Sequence, residues 1–255
     1  MLVSVLASGS KGNSTLIRTR QDNILIDAGS CLSKLEEKLN ENYLSMKDIN
    51  YILISHTHTD HTSSLKAITK KYNPIIILTP LMLKDLDYLE DYKNIMFLED
   101  NLIINDVLIE NIKTSHDTSD SRGFIITEGT SSVVQITDTG YLNQKYFNKL
   151  KNKNMYIMES NHNVEMLLNG RYPKWLKARV NSDVGHLSNE SCSFYLSKII
   201  GPDTKKIILA HLSEENNTPE LALNTIKKEF AENDIFFENI ETAKQNEKTD
   251  AVEIW

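Results

Sequence analysis

The chain has 255 residues, of which 40% are hydrophobic and 25% are charged, and its formal net charge is −7 at pH 7. This length and composition are typical of one globular domain spanning residues 1–255, and they exclude a disordered or coiled-coil protein. Because the net charge repels nucleic acid at long range, a polyanionic partner requires bound metal ions or a local basic patch.

The N-terminus and the cysteines give no indication of export. The first residues, Met-Leu-Val-Ser-Val-Leu-Ala-Ser, lack a basic leader and predict a strand rather than a signal peptide. No stretch approaches the roughly 18 apolar residues that a membrane span needs. Cys31 and Cys192 are far apart and without metal-ligand spacing, which fits a reducing compartment. We therefore expect a soluble cytoplasmic protein with no membrane partner.

The apolar periodicity predicts a mixture of short strands and helices along the whole chain. Strands are predicted at 2–6, 15–19, 23–27, 51–55, 74–79, 95–98, 102–105, 108–114, 123–128, 132–137, 155–159, 206–209 and 235–239. Helices are predicted at 32–42, 63–71, 80–89, 188–199 and 219–232. Two successive halves, each mostly strands followed by helices, predict an α/β (α+β) fold of face-to-face sheets with helices outside.

Three of the seven histidines stand in one motif directly after the predicted strand 51–55, Ser55-His56-Thr57-His58-Thr59-Asp60-His61. Positions two apart on an extended chain face the same side, so His56 and His58 can reach one metal ion. A turn into the next helix would bring Asp60 and His61 toward a second ion. Imidazole and carboxylate ligands suit Zn²⁺ and similar ions. Structural histidines are the alternative, which three histidines and an aspartate in six residues argue against.

Further side chains of the same types follow later predicted strands. His116 and Asp117 follow strand 108–114, Asp138 follows strand 132–137, and His211 follows strand 206–209. Side chains at strand ends can converge at one edge of a sheet. We therefore expect two divalent ions, with Zn²⁺ as the first choice and Mn²⁺ as the alternative. Two ions about 3.5–4 Å apart can share a hydroxide as the nucleophile and hold both oxygens of an in-line displacement.

The order His-x-His-x-Asp-His, then His, Asp and His, resembles the metallo-β-lactamase superfamily, whose fold is a four-layer αβ/βα sandwich. Five other motifs resemble its small YycJ/WalJ-type branch, which is regarded as double-strand-specific 5′ exonucleases. They are Ala-Ser-Gly-Ser-Lys-Gly-Asn-Ser (7–14), Asp-Ala-Gly (27–29), Glu-Ser-Asn-His (159–162), Gly-His-Leu-Ser-Asn (185–189) and Leu-Ala-His-Leu-Ser (209–213). The resemblance extends from residue 1 to about residue 220.

The resemblance implies a role for each ligand-type residue. One ion would lie on His56, His58 and His116, the other on Asp60, His61 and His211, with Asp138 as the bridge. Asp60 and His186 are the candidate catalytic residues. His186 stands where the tRNA-processing nucleases of the superfamily have Gly-His-Ser-Thr, which implies that it neutralises the scissile phosphate or protonates the leaving oxygen.

Residues outside the cage have weaker assignments. Asp27 and Glu159 are expected either to accept hydrogen bonds from ligand histidines or to serve as turn residues. His162 is left open between a substrate contact and a structural role. The turn 8–14 lacks the spacing of a P-loop, and the resemblance implies that it borders the metal cleft with Ser10 or Asn13 facing the substrate.

The segment 171–179 is basic and aromatic within an otherwise acidic chain. It contains Arg171, Tyr172, Lys174, Trp175, Lys177 and Arg179. We expect it to form a nucleic-acid-binding rim, in which the basic residues hold phosphates and an aromatic ring stacks on an end base. The alternative is an ordinary solvated helix whose tryptophan packs on the core.

The sequence therefore favours a two-metal phosphodiesterase that acts on nucleic acid, a 5′ exonuclease on DNA rather than RNA. One alternative retains the cage and changes the substrate to a small phosphodiester, or to a thioester or lactone as in glyoxalase II-like enzymes. Another alternative is a catalytically inactive metal-binding module.

Overall fold

The structure of the protein, a computed structural model, describes residues 1–254. Within this range, the first seven-stranded sheet contains β1 (Leu2–Ala7), β2 (Ser14–Arg18), β3 (Asn23–Ile26), β4 (Tyr51–Leu53), β5 (Ile75–Leu78), β6 (Ile95–Phe97) and β14 (Val252–Glu253). Its strand order is β14-β1-β2-β3-β4-β5-β6. Neighbouring strands are antiparallel from β14 to β3 and parallel from β3 to β6.

The second sheet is built in the same way from the later part of the described chain. Its strands are β7 (Asn101–Ile104), β8 (Val107–Lys113), β9 (Arg122–Glu128), β10 (Ser131–Ile136), β11 (Met155–Glu159), β12 (Lys206–Ala210) and β13 (Ile240–Thr242). They lie in the order β13-β12-β11-β10-β9-β8-β7. Neighbouring strands are antiparallel from β7 to β10 and parallel from β10 to β13.

The α-helices of residues 1–254 are α1 (Leu32–Asn40), α2 (Thr59–Thr62), α3 (Leu65–Lys71), α4 (Pro80–Asp85), α5 (Phe147–Leu150), α6 (Val164–Asn169), α7 (Lys174–Val180), α8 (Asn189–Ile199) and α9 (Pro219–Glu232). No helix in this range is long and apolar enough to cross a membrane.

The molecule has four layers, and successive side chains of a strand pack alternately against the other sheet and against the outer helices. In β3, Ile24 and Ile26 belong to the core between the sheets, whereas Leu25 belongs to the core beneath α1 and α3. In β11, Ile157 faces the other sheet and Tyr156 packs in the core beneath α8 and α9. Successive side chains of a strand point to opposite faces, so strands covered on both faces are apolar throughout. The predicted αβ/βα sandwich is confirmed.

The strand predicted at 235–239 is wrong. The chain is irregular there, and β13 begins only at Ile240, which pairs with Ile207 of β12. Phe236 is 97% exposed, so this apolar run is not buried in a sheet. The predicted helix 63–71 corresponds to α3, which begins two residues later, at Leu65, and ends at Lys71 as predicted. The predicted helix 80–89 is interrupted, because α4 ends at Asp85 and a 3₁₀ turn follows at Asp87–Leu89.

Candidate metal centre

Strand ends from both sheets meet at one place and bring the predicted ligands together. The motif 55–61 follows β4, His116 follows β8, Asp138 follows β10 and His211 follows β12. The backbone nitrogen of Arg122 donates to the carbonyl oxygen of Ser55 (2.9 Å) and so links the two sheets beside the site. Asp138 and His211 have left-handed backbones, with φ of 56° each, which turn the chain immediately after its strand. Such conformations are unfavourable for non-glycine residues and concentrate at functional sites.

The first set of possible metal ligands consists of His56, His58 and His116. One ring nitrogen from each lies within 4.8 Å of the others. The Nδ1 of His116 lies 3.0 Å from the carbonyl oxygen of Gly185, so the opposite nitrogen, Nε2, is available to a ligand. The Nε2 of His56 is buried and has no hydrogen-bond partner among residues 1–254. A buried unpaired nitrogen is costly unless something binds it, and a metal ion in this His₃ set would do so.

The second predicted set consists of Asp60, His61 and His211. The close clusters of ligand atoms in the structure instead group His61 with His56 and Asp138, and His211 with Asp138, Glu159 and His186, so Asp138 belongs to both clusters. The Nε2 of His61 lies 3.6 Å from Asp60 Oδ2 and 3.0 Å from Asp138 Oδ2, and His211 Nε2 lies 3.8 Å from Asp60 Oδ2. Tetrahedral ligands about 2.1 Å from a metal ion are roughly 3.4 Å apart, so these separations fit one. Asp138 Oδ1 lies 3.7 Å from His116 Nε2 of the first set, so its two oxygens reach both sets.

Asp27 holds the ring of His61 in place. Its Oδ2 lies 2.7 Å from His61 Nδ1 and accepts a hydrogen bond from the Ser55 hydroxyl (2.7 Å). Its Oδ1 accepts from the backbone nitrogen of Ser55 (2.8 Å). A carboxylate behind Nδ1 orients the imidazole, so Nε2 lies toward Asp60 and Asp138, 3.0 Å from the side-chain nitrogen of Asn13.

Asn13 supports Asp60 from behind, whereas Ser10 borders the cleft. The Asn13 side chain accepts from the backbone nitrogen of Gly9 (2.8 Å) and donates to Asp60 Oδ2 (3.2 Å). Asn13 is buried and does not line the cleft, which Ser10 does. The backbone at position 29 passes so close to Asn13 and Asp60 that only glycine fits there, because a Cβ atom would lie 1.8 Å from the carbonyl oxygen of Asp60.

Glu159 joins two histidines through one buried carboxylate. Its Oε1 lies 2.7 Å from His186 Nδ1 and 3.0 Å from His211 Nδ1. Its Oε2 accepts from the backbone nitrogens of Thr139 (3.0 Å) and Leu187 (3.2 Å). Burial alone would raise the pKa of Glu159, but His186 and the hydrogen bonds from both histidines lower it to about 2. The carboxylate is therefore ionised and keeps a proton on each Nδ1.

The buried carboxylates make the site attractive to cations. Burial would raise the pKa of Asp138, but His211 and His61 outweigh it and lower that pKa well below its usual value. Burial would lower the pKa of His211, but Asp138 and Glu159 raise it to about 9. Carboxylates that stabilise a histidinium also stabilise a metal ion in its place, because ligand histidines lose protons when a metal binds.

A cleft of about 220 Å³ opens beside the ligand sets. His186 lines it together with cage residues, and Tyr172, Leu176 and Arg179 line it from the α7 segment. His162 is fully buried and does not line the cleft, and burial lowers its pKa.

The basic segment 171–179 divides between the cleft and the surface. Arg179 reaches the cleft, whereas Arg171 and Lys174 are exposed and do not line it. Trp175 is 68% exposed, so it does not pack on the core. The Lys177 ammonium donates to the carbonyl oxygen of Leu168 (2.7 Å). Asp117, which the sequence groups with the ligand-type residues but leaves out of the two ligand sets, pairs with Arg179.

The comparisons with known proteins identify the family of the chain. The sequence model of the metallo-beta-lactamase superfamily matches residues 7–143. The chain belongs to the metallo-β-lactamase superfamily. It is 34% identical over 230 residues to the exodeoxyribonuclease YycJ of Bacillus anthracis, covering 88% of this chain and 87% of that protein. It is 35% identical over 239 residues to the exodeoxyribonuclease WalJ of Streptococcus pneumoniae, covering 91% and 89%. The resemblance to this branch is confirmed, and the chain is a metal-dependent hydrolase.

Solved structures agree on the fold. The metallo-beta-lactamase fold protein YhfI of Bacillus subtilis superposes with a TM-score of 0.74 at 18% identity, covering 97% of this chain and 98% of that chain. The short form of human tRNase Z superposes with a TM-score of 0.67 at 14% identity, covering 100% and 99%. At these identities the likeness concerns the fold alone.

Proposed function

We propose that the protein is a two-metal phosphodiesterase that degrades DNA from a 5′ end. The observation that carries the proposal is the position of Asp138, whose two oxygens reach both ligand sets beside an open cleft. The names of the YycJ and WalJ relatives support DNA as the substrate. We further propose that the protein acts in a reducing cytoplasm, which its two free cysteines suit, and that residues 1–255 form one catalytic domain.

The proposed ligand assignment follows the two sets. His56, His58 and His116 would hold one ion, and Asp60, His61 and His211 the other, with Asp138 shared. Zn²⁺ is the first choice because histidine supplies most donors, and Mn²⁺ is the alternative. When bound, the ions supply a water of lowered pKa and offset the charge of the phosphate.

The chain's own residues complete the chemistry. Glu159 keeps a proton on His186 Nδ1, which leaves Nε2 on the opposite side of a ring that lines the cleft. When Nε2 carries a proton as well, the imidazolium can bind the scissile phosphate and donate that Nε2 proton to the leaving oxygen. Asp60 also lines the cleft, where its carboxylate can accept a hydrogen bond from the attacking water.

The test uses duplex and single-stranded DNA and RNA, each labelled at the 5′ or the 3′ end, with Zn²⁺ and Mn²⁺ supplied separately to metal-free protein. We expect metal-dependent loss of the 5′ label from duplex DNA before the body of the strand is shortened. Early loss of the 3′ label would contradict the polarity. Hydrolysis of a glutathione thioester without cleavage of any nucleic acid would contradict the proposal and favour the glyoxalase II-like alternative.

Two exposed residues before Trp175 are expected to strengthen DNA binding. Arg171→Ala/Lys174→Ala should weaken binding, because the variant loses basic groups from the cleft rim. The slope of log affinity against log salt should fall by about 0.9 for each lost phosphate contact on duplex DNA. A matched control is Lys227→Ala/Lys228→Ala, which removes two exposed lysines from α9, a helix that does not line the cleft. An unchanged slope in the Arg171/Lys174 variant would show that this segment is not the rim.

A further inference from the structure

Asp117 and Arg179 form an ion pair at the mouth of the cleft. The Arg179 Nε donates to Asp117 Oδ2 (2.6 Å), and Nη2 donates to Oδ1 (3.0 Å). The side chain of Arg179 is 40% exposed and that of Asp117 is 32% exposed. Exposed pairs of this kind contribute little to stability. Stability therefore does not explain why Asp117 and Arg179 form a bidentate pair at this place.

The pairing uses only one edge of the guanidinium. Arginine has five N–H donors in a planar fork, and Asp117 occupies the edge formed by Nε and Nη2. The other edge, formed by Nη1 and Nη2, has no acceptor among residues 1–254. Arg179 lines the cleft, so this edge is available to a phosphate oxygen pair.

The pair also ties α7 to the cage. Asp117 directly follows His116 in the chain, and its Oδ1 lies 3.6 Å from His116 Nε2 and 3.9 Å from His58 Nε2. The distance between the Arg179 guanidinium and the first ligand set is therefore fixed through one carboxylate. Asp117 as a metal ligand is the rival role, but both of its oxygens already accept hydrogen bonds from Arg179.

We propose that Asp117 is a positioning residue that holds Arg179 so that its free edge binds a substrate phosphate next to the one held by the metal ions. This role rests on the proposed function. Without Asp117 the long arginine side chain would have to be ordered by the substrate, which weakens binding. The opposing effect is that the Asp117 carboxylate repels the phosphate. The bidentate geometry favours the positioning effect.

The test measures KM, kcat and metal content on 5′-phosphorylated duplex DNA for four proteins: the parent, Asp117→Ala, Arg179→Ala and the double variant. Arg179→Ala should raise KM about tenfold, the effect of losing a charged hydrogen bond. Asp117→Ala should raise KM about fivefold in the parent, from the cost of ordering one side chain. Because Asp117 acts through Arg179, it should change KM less than about twofold in the Arg179→Ala background.

Three further comparisons complete the experiment. Arg179→Lys should resemble Arg179→Ala, because an ammonium lacks the fork. Glu36→Gln, which removes a surface pair with Lys71, is the matched control and should behave as the parent. An equal KM increase in both backgrounds, an unchanged or lowered KM, or a loss of metal in Asp117→Ala would overturn the role of Asp117. A parent protein that binds metal but does not cleave DNA would instead overturn the proposed function.

Discussion

Asp138→Ala is expected to lose both metal ions and all measurable hydrolysis. This carboxylate approaches both ligand sets, because its Oδ2 lies 3.0 Å from His61 Nε2 and its Oδ1 lies 3.7 Å from His116 Nε2 and 3.2 Å from His211 Nδ1. Removing it takes one ligand from each set and withdraws the negative charge that would offset two adjacent dications. The measurement is elemental analysis after dialysis, which should give close to two ions per chain in the parent and almost none in the variant.

The buried position of Asp138 requires a check on folding. Asp138→Asn keeps the shape and one ligand oxygen, so it should fold like the parent by circular dichroism and still bind metal poorly. Asp106→Asn is the matched control, because Asp106 lies in the exposed turn at the other end of β8 and should retain both ions. Full metal content in a folded Asp138 variant would contradict the bridging assignment, and loss of one ion would make Asp138 a ligand of a single site.

The parts of the site that lie close together in the sequence could be predicted from it. His56, His58, Asp60 and His61 lie within six consecutive positions after a strand whose apolar residues are buried on both faces. Local geometry fixes how such side chains can point, and the strand-end positions of His116, Asp138 and His211 follow from the same pattern. For these residues, the position directly after a strand is sufficient to predict that they lie together at the sheet edge.

The sequence predicts that Glu159 accepts a hydrogen bond from a ligand histidine or serves as a turn residue, but it does not identify the distant partners of such a side chain. Glu159 approaches His186 and His211, which are 27 and 52 residues away, and Asp117 meets Arg179 across 62 residues. Each contact depends on how loops from several strands pack, which no local pattern encodes. The helices α6 and α7 are missing from the predicted elements, because six and seven residues give only a weak periodic pattern. The apolar run 235–239 predicts a strand that does not form, because a strand needs a hydrogen-bonded partner strand as well as apolar residues.

His186→Ala is expected to lower the turnover of DNA by roughly 10²–10⁴, the usual size of a general-acid contribution, while both metal ions remain bound. His186 lines the cleft, and its Nδ1 is held by Glu159 at 2.7 Å, so the ring is oriented without being needed in either proposed ligand set. Glu159→Gln provides the contrast. It replaces one acceptor oxygen with an amide nitrogen that faces N–H donors. Both His211 and His186 thereby lose the carboxylate that orients their rings. We expect this variant to lose metal as well as turnover.

The choice of leaving group separates proton donation by His186 from simple phosphate binding. A nucleoside 4-nitrophenyl phosphate releases a phenolate that needs no proton, whereas DNA releases a poorly leaving alkoxide. If His186 protonates the leaving oxygen, His186→Ala should reduce turnover of the 4-nitrophenyl ester much less than turnover of DNA. Equal losses on both substrates would restrict His186 to binding the phosphate. A fall in metal content in His186→Ala would make it a ligand, and unchanged turnover of DNA would leave it with a structural role alone.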